Sequence, residues 1–165
     1  MFKKLKEKLS KVDNKNIFIG SPIEGMAISI KEVNDPTFSE EMLGKGVAIV
    51  PSNGRVVAPV DGEISVLFET KHAVSIKSEE GIEILIHIGL DTVKLKGEAF
   101  TTYVKVGDKV KAGDLLIEFD IEKIKSSGYD TTTPIVICNT LELSDVKENK
   151  IGKVNELDNI IEITK

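Results

Sequence analysis

Ser21-Pro22-Ile23-Glu24-Gly25-Met26-Ala27-Ile28 and Ala58-Pro59-Val60-Asp61-Gly62-Glu63-Ile64-Ser65 are two copies of one pattern, 37 residues apart. Each is a proline that enters a strand edge, an acidic-Gly turn, then a strand. Two such β-units facing one another bury one shared core, which neither can bury alone. The repeat therefore predicts a β architecture built by duplication.

Working outward, the chain from Ile17 onward consists of short apolar runs broken by Gly, Pro, Asp and Asn. Strands are expected at Asn16–Gly20, Gly25–Ile30, Gly46–Pro51, Arg55–Ala58, Gly62–Phe68, Ala73–Lys77, Glu83–Ile88, Lys94–Gly97, Leu115–Asp120, Thr133–Cys138 and Ile160–Thr164. Turn residues every 8–12 positions suit an antiparallel barrel or sandwich. Two helical fragments at most interrupt it, Ser39–Leu43 and Ile121–Lys125. The segment Val106-Gly107-Asp108-Lys109-Val110-Lys111-Ala112-Gly113-Asp114-Leu115 holds two Gly-Asp turns around a central valine. It resembles the turn region of biotinyl and lipoyl carrier domains, the half-barrel hybrid motif. The predicted fold is all-β, an antiparallel sandwich of two facing half-barrels.

Length and composition bound the rest. At 165 residues, 41% hydrophobic and 30% charged, the chain suits a single globular domain. No apolar run approaches the roughly 18 residues of a spanning helix, and the N-terminus has no secretory signal pattern. One cysteine, Cys138, excludes an internal disulfide and a multi-cysteine metal site. The expected compartment is cytoplasmic. The net charge of −5 argues against a nucleic-acid surface, but the charge is uneven. Residues 1–12 carry Lys3, Lys4, Lys6, Lys8 and Lys11 against Glu7, a local +4, and the remainder is −9. Phe2, Leu5, Leu9 and Val12 fall on one helical face. Residues 1–12 thus form an amphipathic basic helix or arm, and Asp13-Asn14-Lys15-Asn16 a linker to the domain at 17–165.

The histidine inventory is His72 and His87. Both lie in apparent strands joined by Lys77-Ser78-Glu79-Glu80-Gly81, a loop suited to a hairpin, so the two rings can approach each other. Strand parity puts Phe68, Thr70, His72 and Val74 on one face. His87 interrupts a continuous apolar run, where an imidazole needs a specific partner. Such a pair fits either of two chemistries. Catalytic zinc needs a third protein ligand, and Asp91 is the nearest carboxylate. A nucleophile needs only a neutral imidazole with one nitrogen held and the other free, and it suits a phosphoryl electrophile. The nucleophile is preferred; a zinc-dependent hydrolase on a related half-barrel fold is the alternative.

Ile84-Leu85-Ile86-His87-Ile88-Gly89-Leu90-Asp91-Thr92-Val93, followed by Leu95, Gly97 and Phe100, resembles the active-site stretch of glucose-type enzyme IIA of the bacterial phosphotransferase system. Phe68-Glu69-Thr70-Lys71-His72-Ala73 is similar to that family's second-histidine stretch and Ala58-Pro59-Val60-Asp61-Gly62 to its preceding turn. Gly44–Ile49 and Thr133–Val136 are similar to family segments as well. The resemblance runs from about Ile17 to the C-terminus. It implies that His87 accepts a phosphoryl group from the carrier HPr and passes it to a cysteine of a sugar-specific enzyme IIB. It further implies that His72 stabilises the phosphoryl group, that Thr70 supports the relay, and that no metal or nucleotide cofactor is needed.

Phosphoryl transfer between proteins is mostly positioning and charge stabilisation, and an apolar collar protects phosphohistidine from water. Phe38, Met42, Leu43, Phe68 and Val74 are the expected collar and partner surface, with Asp91 at the rim. Lys94 and Lys96 flank that surface; relatives more often carry an acidic residue at the position of Lys94. The basic arm suits anionic lipid beside a membrane-bound permease. A biotin or lipoyl carrier is rejected, because Lys109 belongs to the Gly-Asp turn pair. The sugar is not legible, since it is decided by IIB and its membrane partner.

Overall fold

A computed structural model describes residues 16–165; the helix or arm expected at 1–12 lies outside them. Fourteen strands follow one another: β1 (Asn16–Gly20), β2 (Gly25–Ser29), β3 (Lys45–Pro51), β4 (Arg55–Val57), β5 (Gly62–Leu67), β6 (Ala73–Ser78), β7 (Glu83–His87), β8 (Phe100–Thr102), β9 (Lys109–Val110), β10 (Leu115–Phe119), β11 (Thr133–Ile137), β12 (Asp145–Glu148), β13 (Gly152–Val154) and β14 (Asn159–Thr164). Two short helices, α1 (Pro36–Ser39) and α2 (Ile121–Ser126), and three 3-10 turns complete the described chain. Every strand pair is antiparallel. The all-β expectation holds.

The two proline-led copies open β2 and β5. Their glycines are there for close backbone approach. A Cβ on Gly25 would lie 2.1 Å from the Val50 carbonyl oxygen, and one on Gly62 would lie 2.3 Å from that of Lys77. The duplication extends to the whole architecture. One sheet has the order β13-β2-β3-β11-β7-β6-β5-β9, and two smaller ones the orders β1-β14-β12 and β4-β10-β8. Exchanging β2 with β5, β3 with β6, β11 with β7 and β13 with β9 leaves the large sheet unchanged and swaps the small ones. Matching hydrogen bonds follow the exchange. Leu157 N–H donates to the Ser21 carbonyl and Ser21 N–H to Asp158, as Gly113 N–H donates to Ala58 and Ala58 N–H to Asp114, at 2.8–2.9 Å throughout. One unit, β4–β10, is inserted between β3 and β11 of the other.

The main core lies inside the large sheet, where Val47, Ile49, Val74, Ile76, Ile84, Ile86, Ile135 and Ile137 meet residues of the small sheets such as Ile19, Ile117 and Ile161. By strand alternation the neighbouring residues Ala48, Ala73, Leu85 and Val136 point to the opposite face. There they are covered by Ile30, Val33, Phe38 and Leu90. Residues 30–44, the long β2–β3 connection, thus fold over the centre of the sheet. The corresponding β5–β6 connection is a tight turn, so the cover belongs to one unit alone.

Several expected elements are corrected. Lys94–Gly97 is not a strand: Thr92–Leu95 is a 3-10 turn, and Asp91 and Lys96 on either side of it are left-handed. The helix expected at Ser39–Leu43 lies at Pro36–Ser39, because the Asp35 carboxylate caps the Thr37 N–H at 3.0 Å and Pro36 occupies the first turn. Residues 68–72 form a turn, so β5 ends at Leu67.

Candidate active site

His87 ends β7 at the border of the covered face. Ile84 and Ile86 point into the main core, so Leu85 and His87 take the other side, and Ala73 of β6 stands opposite His87 in register. His72 immediately precedes Ala73. The turn that delivers it is set by the Lys71 N–H bond to the Phe68 carbonyl at 2.8 Å, with Lys71 at φ 63°. The two imidazoles meet edge to face, with centroids 4.9 Å apart. Phe38 packs on His87 at 5.1 Å and Phe68 on His72 at 5.2 Å.

Each ring has one nitrogen held. His87 Nδ1 lies 2.8 Å from the Gly89 carbonyl oxygen. A carbonyl only accepts, so Nδ1 carries the proton, and in the neutral ring Nε2 keeps a free lone pair. His72 Nδ1 lies 2.8 Å from the Thr70 hydroxyl. Burial pushes the His72 imidazole from 6.5 down to about 4, helped by repulsion from His87 and opposed by a hydrogen bond to the Thr70 backbone. His87 is likewise held below its ordinary value by burial. Its bond to Gly89 and the carboxylates of Asp35 and Asp91 pull the other way. At pH 7 the site therefore presents two neutral imidazoles.

The expected collar divides. Phe38 is buried and forms a wall of the site, while Met42, Leu43 and Phe68 are exposed. Val74 is fully buried in the main core and cannot belong to a partner surface. The parity that placed it beside His72 fails because the left-handed Lys71 breaks the strand. Asp91, Lys94 and Lys96 are exposed on the segment after His87.

Four residues escaped the sequence reading. Asp35 was signalled by Asp-Pro, a cap followed by a first-turn proline. Gly89, at φ 75°, supplies the carbonyl that holds His87. Thr92 donates its hydroxyl to the neighbouring Ile88 carbonyl, and the Asp130 carbonyl, distant in sequence, accepts from the Leu90 N–H. Among the described residues no group of three His, Cys, Asp or Glu stands together as a metal site, so the zinc alternative finds no third ligand there.

Residues 17–143 match the family model of the phosphoenolpyruvate-dependent sugar phosphotransferase system, EIIA 1. A glucose-specific EIIA component of Oceanobacillus iheyensis is 48% identical over 161 residues, covering 98% of this chain and 97% of that protein. A beta-glucoside-specific EIIBCA component of Bacillus subtilis is 49% identical over 146 residues, 88% of this chain but only 24% of that protein. Glucose permease IIA from Mycoplasma capricolum superposes with a TM-score of 0.85 at 38% identity, covering 90% of this chain and 96% of that one. The chain belongs to the EIIA 1 family of the phosphoenolpyruvate-dependent sugar phosphotransferase system, a phosphocarrier component that works with HPr and EIIB domains.

Proposed function

We propose that His87 Nε2 is the atom that carries the phosphoryl group, and that residues 17–165 form the carrier domain. The observation that supports it most is the 2.8 Å bond from Nδ1–H to the Gly89 carbonyl. It leaves Nε2 as the nucleophile and orients its lone pair. In the forward step this lone pair attacks the phosphorus of phospho-HPr, and the bond from phosphorus to the HPr leaving atom breaks. Positive charge then develops on the imidazole. The Gly89 carbonyl, Asp35 and Asp91 are aligned to stabilise it, being the groups that favour a charged ring. In the second step a cysteine thiolate of EIIB attacks, the N–P bond breaks, and the electron pair returns to Nε2.

His72 acts as a hydrogen-bond donor to the transferred group. In the tautomer proposed here the Thr70 hydroxyl donates to Nδ1, and His72 Nε2 carries its proton toward the phosphoryl oxygens. Phe38 and Phe68 flank the two rings and keep water from the labile bond. Met42, Leu43, Phe68 and Asp91 form the partner surface, with Asp91 meeting a basic residue of HPr.

Relatives named for glucose and for beta-glucosides match at nearly equal identity, which supports a sugar set by the EIIB partner. Residues 1–12 supply a basic amphipathic arm that holds the domain beside an anionic inner membrane surface. Vesicles of anionic lipid should bind the full chain and release a variant lacking residues 1–12; equal binding removes this role.

Incubation with phosphoenolpyruvate, enzyme I and HPr should give acid-labile, base-stable phosphate that is lost in His87→Gln. Label retained in that variant refutes the assignment. His72→Gln should accept the label and donate it poorly to EIIB; unimpaired donation refutes the role of His72.

A further inference from the structure

Three successive peptide groups after His87 are each tied to a different partner. The Ile88 N–H donates to the His72 carbonyl at 2.7 Å. The Ile88 carbonyl accepts from the Thr92 hydroxyl. The Leu90 N–H donates to the Asp130 carbonyl at 2.9 Å. The group left over, the Gly89 carbonyl, is the one that holds His87 Nδ1. There is no slack in this turn: a Cβ on Gly89 would lie 2.5 Å from Thr92 Cγ2 and 2.8 Å from the Asp130 carbonyl oxygen.

We infer that Thr92 is a positioning residue for both imidazoles, acting through the Ile88–Gly89 backbone. Its side chain is fully buried, and it is the only one of the three ties made by a side chain; the others are backbone to backbone. Through the Ile88 carbonyl it fixes the plane from which the Gly89 carbonyl reaches His87. Through the same residue's N–H it fixes where the His72 carbonyl, and with it the His72 ring, stands. The two tied peptide planes meet at the Ile88 Cα, so removing the hydroxyl frees one plane to turn and loosens both rings together. Thr92 touches neither the phosphoryl group nor a partner, and its contribution is to aim Nε2. For its rate readout the inference rests on the proposal that His87 is the acceptor; its spectroscopic readout does not.

The test compares Thr92→Val, which keeps the shape and loses the hydroxyl, with Thr92→Ser, which keeps the hydroxyl. Nitrogen-15 NMR of the neutral wild-type His87 ring should show Nδ1 protonated and Nε2 bare. T92V should admit the opposite tautomer and T92S should not. The rate of phosphoryl uptake from phospho-HPr should fall about ten-fold in T92V with KM for HPr within about two-fold, because aim is lost after docking. T92S should recover to within about two-fold of wild type. An unchanged His87 tautomer and rate in folded T92V overturns the inference. So does a T92S protein that loses tautomer and rate, and this outcome decides the matter alone if T92V does not fold. Failure of wild-type His87 to take phosphate overturns the functional proposal instead, leaving the tautomer result to stand by itself.

Discussion

Acidification should destabilise this protein through His72 before most carboxylates are protonated. The ring is 2% exposed, and burial with repulsion from His87 holds its pKa near 4 against an ordinary 6.5. The unfolded chain therefore binds a proton over a window in which the native site refuses it. Stability from this group is complete above pH 6.5 and is lost as pH falls toward 4. Integrating between pH 7.5 and 5 gives a loss of about 2 kcal/mol. With a urea m-value of about 2 kcal/mol/M, the midpoint should drop by about 1 M. His72→Gln removes this titrating ring and leaves only His87, itself lowered by burial, so its midpoint should fall less over the same interval. The assay is urea unfolding of both proteins at the two pH values, with the His72 ring proton followed by NMR. An equal drop in the two proteins refutes the reasoning, as does a His72 resonance that titrates between pH 6 and 7.

Three further outcomes are expected. Gly46→Ala should destabilise the fold by about 3 kcal/mol in urea unfolding, since the new Cβ would lie 1.9 Å from the Ile135 carbonyl oxygen in the paired strand; a change under about 0.5 kcal/mol contradicts the close approach. Phe68→Ala should cost less than about 1 kcal/mol and weaken transfer from HPr. Val74→Ala should cost about 2 kcal/mol and leave KM for HPr unchanged. The reverse ranking would return Val74 to the surface.

Much of the fold was legible because its turns are written in Pro, Gly and Asp, and because the first repeat keeps its pattern. The match between the turns at Gly113 and Leu157, which make equivalent hydrogen bonds and both have positive φ, was not, since the two residues share no side-chain chemistry. The strands β8, β9, β12 and β13 also escaped. Each of β9, β12 and β13 contributes one buried residue, Val110, Val146 and Val154, and such elements exist because a neighbour offers them hydrogen bonds. Lys94–Gly97 failed for the opposite reason: its alternation mimics a strand, while two left-handed residues flanking the turn at Thr92–Leu95 forbid one. The histidine pair was legible from the hairpin spacing. The carbonyl that orients His87 was not, because a backbone acceptor has no signature in sequence.

The exchange that relates the two halves has a consequence for traffic through the molecule. In register, Gly46 and Val136 occupy the places of Ala73 and His87, and Lys45 that of His72. One corner thus carries two imidazoles and its twin none, with the 30–44 segment spread over the middle of the sheet and lending Phe38 to the histidine side alone. A carrier with two live corners could load at one while unloading at the other. With His87 as the proposed acceptor this one has a single berth, so donor and acceptor must call in turn, and each visit must end before the next begins.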